Sequence, residues 1–436
     1  MRAGLLAFSI AAALTVAGIA RAAISYTGVN LAGAEFGAQM PGTIGVQYIY
    51  PTQEEVDYFR GKGANVFRLP FRWERLVPDL ASGALDSEQL GYIREFVDAT
   101  TAKGAFVILD VHNYAQYITT DGTTHSLGSD QLTIAQFASL WSKLAAVFAD
   151  NNRVFLGLMN EPKGVPVITT EKWFEAAQSA IDAIRATGAR NKILVCGNYY
   201  SGAWSWVSGA GMGTPNATAL AAKKLVDPRK NLVFEVHQYL DADYSGTSPT
   251  IAHDPVKTLK TFTTWLRNTG NKGFLGEFAV AEGTIQREAV TAMLDYLRKN
   301  SDVWEGWTWW AAGPWWGDYM FSLEPREDGS DAPQMAYISP FFAGNRPPAP
   351  TLQPRGKTRI STRRARITLR GTATDASNVR FKVRRAPFRR TTGPVTKWRI
   401  PLRLEFGRNV VKVRATGPGG ASEPLRFLIR RLKSRQ

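Results

Sequence analysis

The chain has 436 residues, 44% of them hydrophobic and 21% charged, and carries a formal net charge of +16. This length exceeds one average domain and the apolar content allows a large core, while a single cysteine excludes any intramolecular disulfide. The charge is uneven: residues 346–436 hold 25 Lys+Arg against 3 Asp+Glu, or +22, which leaves −6 for residues 1–345. Such a break marks a domain boundary.

Taken in chain order, the first segment reads as a secretory leader. Arg2 gives a positive start, Leu5 to Ala20 is a continuous small and apolar run, and Ala20-Arg21-Ala22-Ala23 offers small residues for cleavage. The apolar run is short for a bilayer span of about 20 residues. No other stretch is long enough to span. The mature protein is therefore expected to be secreted (extracellular or periplasmic), soluble and monomeric, with no membrane span.

Eight strand-like runs follow: Ser25 to Asn30, Ala64 to Leu69, Phe106 to Val111, Val154 to Met159, Lys192 to Gly197, Leu232 to Val236, Gly273 to Gly276 and Glu305 to Trp309. Between them lie stretches whose apolar residues recur every three or four positions: Ser87 to Lys103, Thr133 to Ala149, Glu171 to Ala186, Val256 to Asn268 and Gln286 to Lys299. Eight alternating units over about 320 residues fit an α/β fold, the (β/α)8 TIM barrel. A doubly wound open sheet is the other arrangement of this pattern, but no Gly-rich phosphate loop follows the first strand.

The strand ends carry polar residues suited to one chemistry. Val154 to Met159 is an apolar run that stops at Asn160-Glu161-Pro162, and Gly273 to Gly276 stops at Glu277. Proline cannot donate to a ladder, so Asn160 and Glu161 stand where the strand ends. In such sheets the carboxyl ends of the strands are where ligands bind. Two glutamates facing each other across a barrel mouth are what glycosidic cleavage needs: one carboxyl protonates the leaving oxygen, the other attacks or activates water. Arg68 and Tyr239 are placed to hold Glu277 ionised. Glu161 must start protonated and is expected in the drier setting. Asn160 can donate to a sugar 2-hydroxyl, and Trp310 offers a flat face to a pyranose.

Each of these residues also has a plainer reading. Arg68 can serve a structural ion pair, His112 and His237 can be satisfied core histidines, and the Trp-rich run from Trp304 to Trp316 can be core. A His-carboxylate metal centre lacks the clustered spacing such sites show. Cys196 reads as a small buried hydrophobe. No metal or organic cofactor is expected.

Gly28-Val29-Asn30, Phe67-Arg68-Leu69-Pro70, Asp110-Val111-His112-Asn113-Tyr114, Met159-Asn160-Glu161-Pro162, His237-Gln238-Tyr239, Gly276-Glu277-Phe278 and Trp309-Trp310-Ala311-Ala312-Gly313-Pro314-Trp315-Trp316 together resemble the strand-end motifs of glycoside hydrolase family 5. The last resembles its fungal-type endoglucanase branch. The resemblance covers roughly Ser25 to Pro340 and implies a retaining endo-β-1,4-glucanase, or cellulase, with Glu161 as acid/base and Glu277 as nucleophile. It also implies that Arg68, His112, Asn160, His237, Tyr239 and Trp310 line the subsite where the bond breaks. Two features depart from it: Lys163-Gly164 stands where many relatives carry His-Asp, and the fifth loop, Asn198 to Trp206, is unusually aromatic. Trp204 or Trp206 is expected to bind a distal glucose. The alternatives are a glycosidase acting on mannan, xyloglucan or mixed-linkage glucan, and a non-catalytic carbohydrate-binding protein.

The expected organisation is a leader over 1–23, a catalytic barrel over 24–345, a Pro-rich linker over 346–352 and a basic domain over 353–436. In that last segment Ala365 to Leu369, Val379 to Val383, Trp398 to Leu402, Asn409 to Val413 and Leu425 to Ile429 alternate apolar and other residues between Gly/Pro-rich turns. They predict a small all-β immunoglobulin-like sandwich. Its basic residues sit often at outward positions. Two readings stand for them: attachment to an acidic surface such as an anionic polysaccharide, and a solvated spacer that is merely basic. No nucleic-acid partner is expected, and a lone tryptophan, Trp398, does not make a planar cellulose-binding row.

Overall fold

The computed structural model describes residues 24–345 and 350–433, apart from 375, 377, 385, 418 and 419. The expected leader and most of the expected linker lie outside the described residues. Contacts divide the chain into two compact units, residues 24–345 and residues 350–433.

In the first unit eight parallel strands close into a barrel: Tyr26–Leu31, Val66–Phe71, Phe106–Val111, Val154–Gly157, Lys192–Cys196, Leu232–His237, Gly273–Glu277 and Trp304–Ala312. Each pairs with its sequence neighbours, and the eighth closes on the first through Tyr26↔Gly306 to Val29↔Trp309. Their β-branched and aromatic content favours extended backbone, and burial on both faces removes the polar alternation of a half-exposed sheet. The fourth strand ends two residues earlier than expected. Beyond Gly157 isolated bonds remain, from Leu158 N to Leu194 O, from Asn160 N to Val111 O and from Tyr114 N to Asn160 O.

Helices Ser87–Ala102, Ile134–Phe148, Thr170–Ala186, Pro255–Thr269 and Thr284–Lys299 pack outside the barrel. Local chemistry sets their ends. Asp86 and Asp254 accept from first-turn amides, Thr133 and Gln136 form a capping box, and Gly270 stops its helix at φ 72°. Periodicity missed the helix Gln53–Gly61 because it buries only Val56 and Phe59; its Thr52–Glu55 capping box was the readable signal.

Inside the barrel Val66, Ile108, Phe155, Leu194, Val233 and Phe274 fill the floor. Two residues further along the same inward faces come Arg68, Asp110, Cys196 and Glu235, so the barrel turns from apolar to ionic within one strand period. Among the described residues no helix is long and apolar enough to cross a membrane.

The second unit is all β. Thr351–Pro354, Arg366–Thr374 and Arg399–Arg403 form one sheet. Arg359–Thr362, Leu425–Arg431, Gly407–Gly417, Asn378–Val383 and Arg389–Arg390 form the other, in that order. Leu369 and Ile400 from the first sheet and Val411, Val413 and Phe427 from the second share one core around the buried Trp398. The opening strand starts at Thr351, within the segment expected as linker.

Candidate active site

The strands and the segments just past them bring Arg68, His112, Asn160, Glu161, His237, Tyr239, Glu277 and Trp310 to one mouth of the barrel; the second strand runs two residues further than expected, to Phe71, so Arg68 stands inside it and not at its end. Arg68 is fully buried and organises it. Its Nη1 donates to Asn30 Oδ1 (2.9 Å) and Glu277 Oε1 (3.0 Å), and its Nη2 donates to Asn160 Oδ1 (2.7 Å). Nη2 also lies 3.1 Å from Asp110 Oδ1, and Nε lies 3.0 Å from Glu235 Oε1, near enough to attract but without the direction of a hydrogen bond. One guanidinium thus faces three carboxylates, and the structural and functional readings of Arg68 coincide.

Around it each group is fixed by a second contact. Tyr239 donates its hydroxyl to Glu277 Oε2 (2.9 Å), so both oxygens of Glu277 accept. His112 Nδ1 meets Asp110 Oδ2 (2.8 Å) while its Nε2 lies 3.2 Å from both Asn160 Nδ2 and the Tyr114 hydroxyl. Trp310 stacks over the His112 ring at 5.3 Å and 15°. Gly276 is required here, since a Cβ would lie 2.1 Å from Glu235 Oε1.

Glu161 is held at φ 41°, uncommon for a residue with a Cβ, and its Oε1 lies 2.6 Å from His237 Nδ1. The same nitrogen is 3.5 Å from Glu277 Oε2, and an oxygen of Glu161 and one of Glu277 lie within 4.8 Å of each other. The expectation that Glu161 occupies the drier setting is not met. Its side chain is 15% exposed and that of Glu277 only 6%, because Glu161 sits beyond the end of its strand while Glu277 is the last residue of one.

The electrostatics follow from this crowding. Burial opposes a charge on His237, yet Glu277, Cys196, Glu161 and Glu235 outweigh it and hold the imidazole well above its usual range. His112, equally buried, is driven well below it, chiefly by burial. Burial raises Glu277, with His237 and Arg68 pulling it back. Burial pushes Asp110 up to about 7, whereas Arg68 and His237 overcome burial at Glu235 and lower it.

Glu235 escaped the sequence reading. It stands two residues before His237 on one inward face, as Asp110 stands two before His112, and that repeat was the available signal. Glu35, in the loop after the first strand, also escaped. It is buried, Oε2 accepts from Gly33 N, Oε1 has no hydrogen-bond partner, and burial pushes it up to about 8. Nothing in its local sequence distinguishes it from a surface glutamate.

The aromatic fifth loop divides its tryptophans. Trp204 is half-buried, with its backbone N donating to Gln238 Oε1 (3.1 Å), and stacks on Tyr244 at 4.2 Å, which in turn stacks on His253 at 3.9 Å. Trp206 has no exposed surface and packs against Phe234, Phe262 and Trp265. It is core, not a sugar platform, because the chain turns inward between Trp204 and Trp206. The Lys163-Gly164 departure also has a cause: at φ 84° a Cβ on Gly164 would lie 2.3 Å from the Tyr199 ring, so the aromatic loop needs glycine there.

Among the described residues Cys196, Glu235 and His237, and Glu161, His237 and Glu277, come close enough to share an ion. His237, common to both sets, already has a carboxylate at each nitrogen. A hollow of about 570 Å³ lined by Leu220, Phe234, Trp265 and Lys272 contains none of the carboxylates or histidines of the barrel mouth.

A closed parallel barrel with paired carboxylates and an aromatic face at one mouth is the arrangement of a glycoside hydrolase. A family model described as cellulase (glycosyl hydrolase family 5) matches residues 25–313. The chain is 37% identical over 340 residues to endo-beta-1,4-glucanase A of Emericella nidulans, covering 77% of this chain and 98% of that one. It is 49% identical to the solved structure of XacCel5A in complex with cellopentaose, covering 73% of this chain and 99% of that one with a TM-score of 0.69. It is 45% identical to the endo-beta-1,4-glucanase Xac0029 of Xanthomonas axonopodis pv. citri, covering 74% and 99% with a TM-score of 0.68. The chain belongs to glycoside hydrolase family 5.

Proposed function

We propose that the barrel is a retaining endo-β-1,4-glucanase of an exported protein, cleaving internal bonds of cellulose or related β-glucans. The observation that carries the reading is the carboxylate pair: Glu161 and Glu277 present oxygens within 4.8 Å across His237. A retaining pair stands about 5 to 5.5 Å apart, whereas an inverting pair leaves about 6.5 to 9.5 Å for water. The internal β-1,4 preference draws support from the relatives named endo-beta-1,4-glucanase and from the neighbour holding cellopentaose.

In this reading Glu277, aimed by Arg68 and Tyr239, attacks the anomeric carbon while Glu161 protonates the departing oxygen. Asn160, with its carbonyl oxygen taken by Arg68 and one amide hydrogen directed at His112 Nε2, keeps the other amide hydrogen for a sugar hydroxyl. Glu161 then takes a proton from the incoming water, whose oxygen bonds the anomeric carbon as Glu277 leaves as a carboxylate. His237 bridges the two carboxyls through both steps. The stacked Trp204 carries a more distant glucose.

The test is reducing-end release from soluble hydroxyethylcellulose, with NMR of the first-formed anomer. Release with net retention that vanishes in Glu277→Gln supports the reading. First-formed inversion, or equal release by both proteins, would overturn it. Mannan and xyloglucan in the same panel separate the polymer alternatives, and Trp204→Ala should weaken turnover on long chains more than on short ones.

A further inference from the structure

The second unit pairs like charges across its strands. In the larger sheet Arg380 stands opposite Arg390 on one side and Arg414 on the other. Two residues along, Lys412 stands opposite Lys382 and Arg426. The alternation is strict: Val379, Val411, Val413, Phe427 and Ile429 turn into the core, so these six cations all point outward on one face.

A solvated spacer would not be built this way. Like charges directly opposite each other destabilise a sheet, and alternating sign would relieve the strain. Neighbouring strands lie about 4.8 Å apart, well inside a Debye length of about 8 Å at physiological salt. Among the described residues of this unit none of the six is in an ion pair, and the single ion pair joins Arg384 to Glu405. Arg414 Nε is buried without a hydrogen-bond partner. The two rows thus form a field of cations whose counter-charges must come from elsewhere.

We infer that this face binds an extended carboxylated polysaccharide of the uronic-acid class. Each row sets one cation per strand, an interval close to the length of one sugar ring, so a glycan with one carboxylate per residue can match the row charge for charge. Arginine forks take carboxylates through two parallel hydrogen bonds, and four of the six cations are arginine. Single-stranded nucleic acid needs open aromatic platforms. The exposed Phe388 and Phe406 each already carry a cation over one face, Lys382 (5.0 Å) and Arg431 (3.9 Å). Choosing a glycan among polyanions rests on the barrel's membership of a glycoside hydrolase family. In this arrangement the second unit holds the enzyme on the acidic polysaccharides of a cell wall while the barrel works on the neutral glucan beside them.

The test measures binding of the full chain to polygalacturonate at low and physiological salt, beside uncharged hydroxyethylcellulose, duplex DNA and vesicles of anionic phospholipid. Polygalacturonate is expected to bind, more weakly as salt rises, and the quadruple variant R380E/K382E/K412E/R414E to lose roughly tenfold or more in affinity. The control K357E/R363E/R364E/K397E reverses as many exposed charges of this unit outside the two rows, and it should lose much less. Thermal unfolding confirms that both variants fold, and turnover of hydroxyethylcellulose should be the same in all three proteins. That readout is independent, so a barrel inactive on glucan would refute the proposed activity without touching this inference. Equal loss in both variants, no binding to polygalacturonate, or tighter binding to DNA or vesicles would each overturn the inference.

Discussion

The two units of this chain use cations in opposite ways. In the barrel one arginine, Arg68, is withdrawn from water and faces Asp110, Glu235 and Glu277. In the sandwich, the row of Arg390, Arg380 and Arg414 lies on an outward face, Arg414 partly covered, with cations and no carboxylate opposite one another. In both units the basic residues sit on strands, buried on both faces in the barrel and on one face in the sandwich. What differs is the residue that the next strand sets against it. A buried cation is tolerated only when paired, whereas an exposed row persists against its own repulsion.

The contrast makes ordered predictions. The largest effect should fall on catalysis: Glu161→Gln is expected to reduce turnover by about 10²–10⁴-fold, with Glu277→Gln at least as damaging, while the melting temperature barely falls. Steady-state rates beside thermal unfolding check this. Next comes Arg68→Met, which leaves three buried carboxylates without their cation and should cost about 3–5 kcal/mol of stability. Equilibrium denaturation reads that loss, and an unchanged midpoint would mean that the cluster relaxes by taking up protons. Trp206→Ala, in the barrel's outer core, should cost a similar 3–5 kcal/mol or so without altering KM on short substrates.

A smaller effect depends on pH. Glu35 has a folded pKa of about 8 against an ordinary 4.5. Folding therefore takes up a proton between those values, and stability falls as pH rises across that window. Glu35→Gln removes the penalty, so its melting temperature should equal that of the parent near pH 4.5 and exceed it increasingly toward pH 8. A constant difference across the window would contradict the assignment. The smallest effect, and the one of opposite sign to Arg68→Met, belongs to the sandwich. Arg380→Glu places an acid between Arg390 and Arg414 and should stabilise the fold by about 0.2–1 kcal/mol, measured as a small rise in melting temperature. A fall there would erase the distinction between the two units.

Much of the barrel was legible. Its eight strands are short apolar runs bounded by polar residues, and burial on both faces makes such runs easy to read. The fourth strand, Val154–Gly157, stopped early because its last bonds depend on two different neighbours, which no local pattern records. Helix Gln53–Gly61 hid because a small buried face gives little periodicity. Glu161 and Glu277 were legible as carboxylates ending apolar runs. Glu235 and Glu35 were not, since each owes its character to burial by residues distant in sequence.

What the sequence determined by itself is whatever local pattern encodes: alternating strands and helices, a charge break at residue 346, and polar residues at strand ends. Tertiary structure alone decided the rest. It put Trp204 on a stacked platform and Trp206 in the core, two residues apart in one loop. It made Glu277 rather than Glu161 the drier carboxylate, and it drove His237 up and His112 down although both are buried histidines at strand ends. The physical reason is common to all three: desolvation and Coulomb interaction depend on what lies within a few ångströms, and barrel closure, not sequence proximity, chooses those neighbours.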